Sequence, residues 1–215
     1  MFHVLEKKRF DSAQRPGEYL DYLYYVPEKA TAPLPLVVYI HGAGSIGDSL
    51  DKMGVVGALK LIEEGGSLPA MLVAPQCHSS HWYDLFETLT EFIDAMRHRP
   101  DVDDTRVYVT GPSMGGFTTW QMACAHPTWF AAAVPVCGGG QEWYAERLKG
   151  LPIWAFHGLL DTTVPVAESI KMARAAQNAC ASVRLTIYPD VHHEAWERAY
   201  ADEEMWAWLF SQKRG

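Results

Sequence analysis

The stretch that decides the fold is Gly111-Pro112-Ser113-Met114-Gly115-Gly116, which lies between two apolar runs. Residues 107–110 before it have the pattern of a short buried strand, and residues 117–125 after it that of a buried helix. A serine with a glycine two residues away on either side fits a sharp strand-to-helix turn, because a Cβ at either glycine would collide with the neighbouring strand or helix. The serine hydroxyl then projects into solvent, and the following backbone N–H groups face a bound acyl oxygen. The motif therefore predicts a covalent nucleophile at Ser113.

The composition indicates one globular domain over residues 1–215, with 48% hydrophobic and 20% charged residues. The formal net charge of -8 disfavours nucleic acid and anionic membrane surfaces as partners. We see no cluster of lysine and arginine that would reverse this expectation.

The N-terminal residues and the cysteines both bear on the compartment. Residues 1–9 place their charges after a very short apolar run and lack the apolar core of a signal peptide. No window approaches the length of a membrane span. The cysteines are widely spaced, which favours buried free thiols over a disulfide framework; they are Cys77, Cys124, Cys137 and Cys180. We therefore expect a cytoplasmic location.

Strand-like and helix-like runs alternate along the chain, which is typical of an α/β fold with a mostly parallel central sheet and helices on both faces. The tyrosine-rich residues 19–26 are predicted to pair with residues 4–10 in a hairpin-like ribbon. Apolar residues at helical spacing from Leu85 onward predict a helix with Asp84 as its N-cap and Glu87 in the capping-box position. Further strands are predicted at 36–40, 71–74, 131–136, 153–156 and 183–188, and further helices at 166–177 and after His193.

The candidate site residues follow the carboxyl ends of these strands. Parallel sheets bind their ligands at that edge, so residues from distant parts of the sequence are expected to converge there. The segments concerned are 41–44, 76–82, Ser113, 138–140, Asp161 and the pair His192 and His193.

A serine hydroxyl needs a base within hydrogen-bonding distance to become a nucleophile at neutral pH. The base needs an acid that fixes its tautomer and stabilises the imidazolium. Asp161 follows the strand at 153–156, and His192 and His193 follow the strand at 183–188. Serine, acid and histidine thus occur in the chain order of this strand–turn–helix architecture. The residues alone leave His192 and His193 as alternative bases.

Each of these residues also has a structural alternative. Asp161 would suit the cap of a turn or of the next helix. Asp190 is the nearest rival acid, but it lies too close in sequence to the histidines to reach them from a separate strand. His41 and His157 precede glycines at strand ends, which favours packed, hydrogen-bonded loop histidines.

A tetrahedral oxyanion needs two converging donors. The N–H of Met114, first in the helix after Ser113, supplies one and benefits from the helix N-terminus. The loop His41-Gly42-Ala43-Gly44 is placed to supply the other, and the N–H of Ala43 is our candidate. The alternative for this loop is a simple glycine turn.

Metal and cofactor signals are weak. The segment 77–81, Cys-His-Ser-Ser-His, has the spacing of metal ligands, but no second cluster accompanies it. There is no phosphate-binding loop and no dinucleotide fingerprint. We therefore predict neither a metal nor a cofactor.

At these motifs the chain resembles the α/β-hydrolase superfamily, specifically its small cap-less carboxylesterase and predicted-peptidase-like branch, related to feruloyl esterases and phospholipase/carboxylesterases. The resemblance covers most of the chain from about residue 34 onward. The segments that carry it are 41–44 (His-Gly-Ala-Gly), 74–77 (Ala-Pro-Gln-Cys), 111–116, 135–140 (Pro-Val-Cys-Gly-Gly-Gly), and 156–158 (Phe-His-Gly) followed by Asp161.

The ending His193-Glu194-Ala195-Trp196 is similar to the Gly-His-Asp-Ser-Trp that is usual in that branch. Aligning the tryptophan implies that His193 is the catalytic base and puts His192 where the family has glycine. The departures at Glu194 and Ala195 leave the core chemistry unchanged.

The segment between the strands ending at Val136 and beginning at Ile153 is too short for a helical lid domain, so we expect an open cleft. Loop aromatics on the active-site side are candidates for an acyl or aryl pocket, with rim or core packing as the alternative. The candidate substrate-binding residues are Trp82, Gly139, Trp143 and Trp196, with Tyr83 and Tyr144 beside them.

The sequence thus predicts a serine carboxylesterase that cleaves small acyl or aryl esters through an acyl-enzyme. Its predicted residues are Ser113, Asp161 and His193, with the N–H groups of Ala43 and Met114 as the oxyanion hole. One alternative is a serine peptidase of the prolyl-oligopeptidase type. The other is a hydrolase fold reused as a non-catalytic binding module. The expected partner is a small-molecule ester, and the oligomeric state is left open.

Overall fold

The computed structural model describes residues 5–29, 31, 33–53 and 56–215. Its strands are β1 (Glu6–Asp11), β2 (Tyr19–Tyr25), β3 (Leu34–Tyr39), β4 (Met71–Pro75), β5 (Val102–Pro112), β6 (Ala132–Val136), β7 (Pro152–Gly158) and β8 (Ser182–Tyr188). They form one sheet in the order β1-β2-β4-β3-β5-β6-β7-β8. The β1–β2 and β2–β4 pairs are antiparallel, and the other neighbours are parallel. The predicted mostly parallel sheet is confirmed.

Helices cover both faces of this sheet. They are α1 (Gly57–Glu63), α2 (Phe86–Arg97), α3 (Met114–Ala125), α4 (Ala167–Asn178), α5 (Ala195–Ala201) and α6 (Glu203–Ser211). Side chains of α2, α3 and α4 join the apolar core on one face. Those of α1, α5 and α6 join the core on the other. The predicted α/β layering is therefore confirmed.

Strand β3 explains why the sequence specifies this layering. Successive side chains of a strand point to opposite faces, and Leu36 and Val38 pack into the first core, whereas Val37 and Tyr39 pack into the second. All four are at most 1% exposed. A strand buried on both faces has no polar alternation, which is why it is a continuous apolar run in the sequence.

The N-terminal ribbon forms as predicted. β1 and β2 pair from Glu6 opposite Tyr24 to Asp11 opposite Tyr19, and β2 joins this hairpin to β4. Val4, with which the predicted strand began, lies outside the described residues.

The predicted start of α2 is wrong. The helix begins at Phe86 after Leu85, and no side chain caps it. The carboxylate of Asp84 instead accepts hydrogen bonds from the Ser79 hydroxyl at 2.7 Å and the His81 N–H at 3.1 Å. Asp84 therefore organises the preceding loop, because an aspartate can satisfy a turn as readily as a helix end.

The cysteines are free thiols, as predicted, and Cys77, Cys124 and Cys137 are buried. The predicted burial is wrong for Cys180, which is exposed just after the end of α4. In the part of the chain that the structure describes, no helix combines the length and the apolar character needed to cross a membrane. The connection from β6 to β7 holds a 3₁₀ helix at Glu142–Leu148 and its flanking loops.

Candidate active site

Ser113 stands at the turn between β5 and α3, with φ 55 and ψ -120. This backbone conformation is strained for a residue with a Cβ, and such strain persists only where the surrounding structure enforces it. The Ser113 N–H donates to the Val136 carbonyl at 2.9 Å, which ties the turn to the end of β6. The predicted strand-to-helix turn is confirmed.

The glycines around Ser113 are required by close backbone packing. A Cβ at Gly111 or at Gly115 would collide with the carbonyl oxygen of Ile40 at the end of β3. A Cβ at Gly116 would collide with the carbonyl oxygen of Val136. The turn can therefore sit between two neighbouring strand ends only with glycine at these positions, as the sequence predicted.

Ser113, His193 and Asp161 form one hydrogen-bonded series. Nε2 of His193 lies 2.9 Å from Oγ of Ser113, and Nδ1 of His193 lies 2.7 Å from Oδ2 of Asp161. A carboxylate can only accept, so Nδ1 carries the hydrogen and Nε2 is left to accept the serine proton. This is the tautomer that general-base catalysis requires.

Asp161 makes both the contact with His193 and the turn contacts that the sequence analysis considered as alternatives. Its Oδ1 accepts from the N–H groups of Thr163 and Val164, each at 2.8 Å, while its Oδ2 faces His193. Burial raises the pKa of this carboxyl, but the hydrogen bonds from His193 and the two N–H groups outweigh burial and hold the pKa below its usual value. The carboxylate is therefore ionised when it faces the imidazole.

The rival residues lie elsewhere. Asp190 forms an exposed pair with Arg198, with N–O distances of 2.8 and 2.6 Å. His192 is exposed, whereas His193 makes the contacts with Ser113 and Asp161. His41 and His157 are buried and hydrogen-bonded through both ring nitrogens, so their prediction as packed histidines is confirmed.

The loop after β3 closes against the nucleophile. A Cβ at Gly42 would lie 3.2 Å from the carbonyl oxygen of Pro112 and 3.4 Å from Cβ of Ser113. Ala43 then begins a 3₁₀ helix, and Met114 begins α3. The N–H groups of Ala43 and Met114 donate to no other described residue, as expected of donors kept free for a substrate oxygen.

Trp82 and His41 support this loop from behind. The indole N–H of Trp82 donates to the His41 carbonyl at 3.0 Å, and the two rings lie 5.1 Å apart. Trp82 is 1% exposed. This candidate substrate-binding residue therefore lies in the core beneath the loop at residues 41–44.

The remaining candidate substrate-binding residues, Trp196, Gly139 and Trp143, differ in their neighbours and exposure. The rings of Trp196 and His193 are perpendicular, with their centroids 5.2 Å apart. A Cβ at Gly139 would meet Phe117 and Glu168, at 3.0 Å from Cε1 and 2.7 Å from Oε2. Trp143 is 72% exposed and reaches outward from the 3₁₀ helix.

A cavity of about 350 Å³ opens beside α3. Its apolar walls come from separate elements and include Phe86 of α2, Phe117 and Trp120 of α3, Tyr144 of the 3₁₀ helix and Met172 of α4. Phe117 lies one helical turn, about 6 Å of helix rise, beyond Ser113. Phe117 is the wall residue nearest to Ser113 in sequence, whereas Ser113, Asp161 and His193 do not themselves line the cavity. Sequence reasoning missed Phe86, Phe117, Trp120 and Met172 because helical spacing marks them as core.

Polar groups also line this cavity. Arg147 and Gln121 lie on its wall, and Arg147 donates to the Ala125 carbonyl at 3.0 Å. Oε1 of Gln121 and Nε1 of Trp120 are buried and have no hydrogen-bond partner among the described residues. The cavity thus combines aromatic walls with polar groups, among them the Arg147 guanidinium.

One group of donors in the described part of the chain has the composition of a metal site: Cys137, Asp161 and His193, whose ligand atoms lie within 4.8 Å of one another. The short Nδ1–Oδ2 hydrogen bond of His193 and Asp161 already occupies two of these donors. Burial raises the pKa of the Cys137 thiol far above its usual range, so the third donor is a neutral thiol.

Comparison with known proteins identifies relatives on both sequence and structure. Poly(3-hydroxyalkanoate) depolymerase C of Paucimonas lemoignei is 31% identical over 140 residues, which cover 58% of this chain and 32% of that protein. Probable feruloyl esterase C of Aspergillus oryzae is 27% identical over 171 residues, which cover 74% of this chain and 62% of that protein. The crystal structure of a thermostable esterase matches with a TM-score of 0.82 at 30% identity, and the match covers 98% of this chain and 63% of the esterase chain. The chain therefore spans less than two thirds of the length of each of these relatives.

The sequence model of the dienelactone hydrolase family matches residues 71–209, which is more than half of the chain and includes Ser113, Asp161 and His193. The eight-stranded sheet has the α/β-hydrolase fold, so the predicted resemblance is confirmed. The chain belongs to the dienelactone hydrolase family.

Proposed function

We propose that this protein is a serine carboxylesterase that cleaves esters through an acyl-enzyme. The observation that carries the proposal is the series from Ser113 Oγ to His193 Nε2 at 2.9 Å and from His193 Nδ1 to Asp161 Oδ2 at 2.7 Å. The strained Ser113 backbone and the two free N–H groups beside it agree with the same reaction.

In the first half of the reaction, Oγ of Ser113 attacks the ester carbonyl carbon while Nε2 of His193 takes the hydroxyl proton. Asp161 stabilises the imidazolium that forms. The negative charge on the carbonyl oxygen is held by the N–H groups of Ala43 and Met114, and each such donor is worth about 100- to 1,000-fold in rate. The C–O bond to the alcohol then breaks, and the imidazolium gives its proton to the departing alkoxide.

The second half returns the enzyme to its starting state. Water gives a proton to Nε2 of His193 and attacks the acyl carbon. The tetrahedral species collapses, the bond to Oγ of Ser113 breaks, and the imidazolium returns its proton to the serine. The products are a carboxylic acid and an alcohol, and no cofactor takes part.

The cavity beside α3 supports substrates with an apolar or aromatic group. Its walls include the rings of Phe117 and Trp120, and flat rings give large contact areas at low conformational cost. Two of the relatives are named esterases, which agrees with an ester substrate. The net charge of -8 disfavours polyanionic substrates.

A substrate panel tests the proposal against both alternatives. We expect turnover of p-nitrophenyl acyl esters, with a preference among acyl chains of different length and aromaticity, and little turnover of aminoacyl anilides. Preferential cleavage of the anilides would favour the peptidase alternative. Tight binding of esters without turnover would favour the binding module.

The matched variants are Ser113→Ala and Ser211→Ala. Loss of Oγ at position 113 removes the nucleophile, so kcat should fall by at least about 10⁴-fold. Ser211 is an exposed serine at the end of α6, and its variant should retain wild-type activity. Equal activity of the two variants would contradict the proposal.

A further inference from the structure

His157 is a second histidine that contacts the acid of the triad. It lies near the end of β7, and its side chain is 0% exposed. Nε2 lies 2.9 Å from the Val164 carbonyl oxygen and 3.2 Å from Oδ2 of Asp161. The mechanism above does not use this ring, although Oδ2 is the same oxygen that faces His193.

The partners of Nε2 determine where the ring carries hydrogen. A carbonyl oxygen and an ionised carboxylate can only accept, so Nε2 of His157 must be the donor. Its hydrogen bond goes to the Val164 carbonyl at 2.9 Å, and Oδ2 of Asp161 lies 3.2 Å from the same nitrogen. Both neighbours therefore fix the same tautomer.

The other ring nitrogen is held by Ser169 of α4. Nδ1 of His157 lies 2.7 Å from Oγ of Ser169, which is also 2.9 Å from the Gly138 carbonyl oxygen. The Ser169 hydroxyl donates to the Gly138 carbonyl, and because Nδ1 of the neutral ring is also an acceptor, the one hydroxyl hydrogen is shared between the two. Ser169 is 0% exposed, and water does not compete for this contact.

His157 is thus hydrogen-bonded to the turn that carries Asp161. The Val164 N–H donates to Oδ1 of Asp161, while the Val164 carbonyl accepts from Nε2 of His157. The carboxylate is held on Oδ1 by the backbone of its own turn and is approached on Oδ2 by two imidazole rings. Because both rings share Oδ2, the hydrogen on His157 reduces the negative charge available to His193.

We propose that His157 is a positioning residue, which through Nε2–H fixes the Asp161 turn and moderates the pull of Oδ2 on His193. The inference rests on the proposed function, in which Asp161 serves His193. It differs from a packing role because it makes the proton affinity of His193 depend on the ring at position 157.

The titratable groups around His157 agree with a neutral ring. Burial lowers the pKa of His157, and this outweighs the Val164 carbonyl and the Asp161 carboxylate, which raise it. His193 adds to the lowering. The Sγ atom of Cys137 lies within 4.8 Å of Asp161 and His193, and its thiol is neutral because burial raises its pKa.

The test compares His157→Gln, which keeps an amide donor near the position of Nε2, with His157→Met, which has no donor. In His157→Met we expect kcat to fall about tenfold, because Asp161 and His193 are positioned less firmly. KM should stay within about twofold of the wild type, because the substrate contacts do not change. The acid limb of the kcat/KM profile should move up by about half to one pH unit, because Oδ2 then attracts the His193 proton more strongly. His157→Gln should restore most of both properties.

His126→Gln is the control, because His126 stacks on Trp129 at 3.8 Å and makes no contact with the triad. Its kinetics should equal those of the wild type. Titration of the active sites with a fluorophosphonate corrects each kcat for unfolded protein. An unmoved acid limb in correctly folded His157→Met would overturn the proposal, even if kcat falls, since packing alone would produce that pattern.

A measurement on the unaltered protein covers the case in which the variants do not fold. The ¹⁵N spectrum of the histidine rings reports which nitrogen carries hydrogen, without any substrate. Hydrogen on Nε2 of His157 supports the proposal, and hydrogen on Nδ1 alone overturns it. The two proposals fail in different ways. If the protein is not an esterase, the wild type shows no ester turnover, whereas the spectrum still reports which nitrogen of His157 carries hydrogen.

Discussion

Nε2 of His41 accepts a hydrogen bond from the backbone N–H of Cys77 at 2.9 Å, which joins the loop after β3 to the loop after β4. The ring therefore carries its hydrogen on Nδ1, which donates to the Gly42 carbonyl at 2.7 Å. His41 is 2% exposed. A neutral buried imidazole thus holds the backbone next to Ala43, whose N–H is the proposed oxyanion donor.

Acidification should weaken the fold through His41. Burial lowers the pKa of His41 from 6.5 to about 4, although the Gly42 carbonyl opposes this shift. Below pH 6.5 His41 is protonated in the unfolded chain but stays neutral in the folded chain. The free energy of unfolding therefore falls with decreasing pH until the pH passes the pKa of His41 in the folded chain. We expect His41 to reduce the free energy of unfolding by up to about 3 kcal/mol between pH 6.5 and pH 4.

Urea unfolding at a series of pH values measures this loss, with His41→Gln as the comparison. The variant lacks the titrating ring, so it should be less stable at pH 7.5 but should lose less stability on acidification. His157 also lowers the free energy of unfolding on acidification, because burial lowers its pKa, and it does so in both proteins. Parallel pH curves for the two proteins would refute the role of His41.

Gly115→Ala should prevent stable folding. Its Cβ would collide with the backbone of β3 at Ile40, and neither backbone can move without breaking the sheet. We expect a loss of at least about 3 kcal/mol in unfolding free energy. Gly44→Ala is the matched control, because no atom lies within 4 Å of its added Cβ, and it should stay within about 0.5 kcal/mol of the wild type. Comparable losses in both variants would show that the collision is not the cause.

Tyr144 and its neighbour Trp143 make a contrast within one 3₁₀ helix. Tyr144 lines the cavity beside α3, whereas Trp143 is 72% exposed and does not. Tyr144→Ala should lower kcat/KM for bulky aryl esters about tenfold and leave acetyl esters within about twofold, because only the larger group reaches the wall. Trp143→Ala should change neither by more than about twofold. The reverse ranking would place the substrate outside this cavity.

Thiol alkylation should leave the activity intact. Cys137 lies beside the triad, but it is 0% exposed and burial raises its pKa, so its thiolate is scarce. Iodoacetamide should modify the exposed Cys180 first, as peptide mapping would record. Inactivation that parallels modification of Cys137 would argue for a thiol nucleophile and against Ser113.

Local patterns made much of the fold and the triad predictable. The buried strands are continuous apolar runs, and the Gly-x-Ser-x-Gly turn needs its glycines for contacts that any such turn makes with adjacent strands. Asp161 and His193 follow strand ends, where parallel strands bring distant residues together. The choice of His193 over His192 needed the resemblance, because either ring follows β8.

Contacts between distant elements escaped prediction. The cavity beside α3 is built from α2, α3, α4 and the 3₁₀ helix, and its wall residues have the same helical spacing as core residues. The contact of His157 with Asp161 depends on how the turn after β7 folds back, which spacing alone does not specify. Asp84 was misplaced because the short-range pattern of a capping box also fits a loop.

The identity of the nucleophile is tested most directly by intact-mass spectrometry after reaction with a fluorophosphonate, followed by mapping of the adduct. The account predicts one adduct per chain, located on Ser113, complete loss of ester hydrolysis in step with labelling, and no adduct in Ser113→Ala. A folded protein that hydrolyses esters while Ser113 stays unlabelled, or an adduct on any other residue, would contradict it.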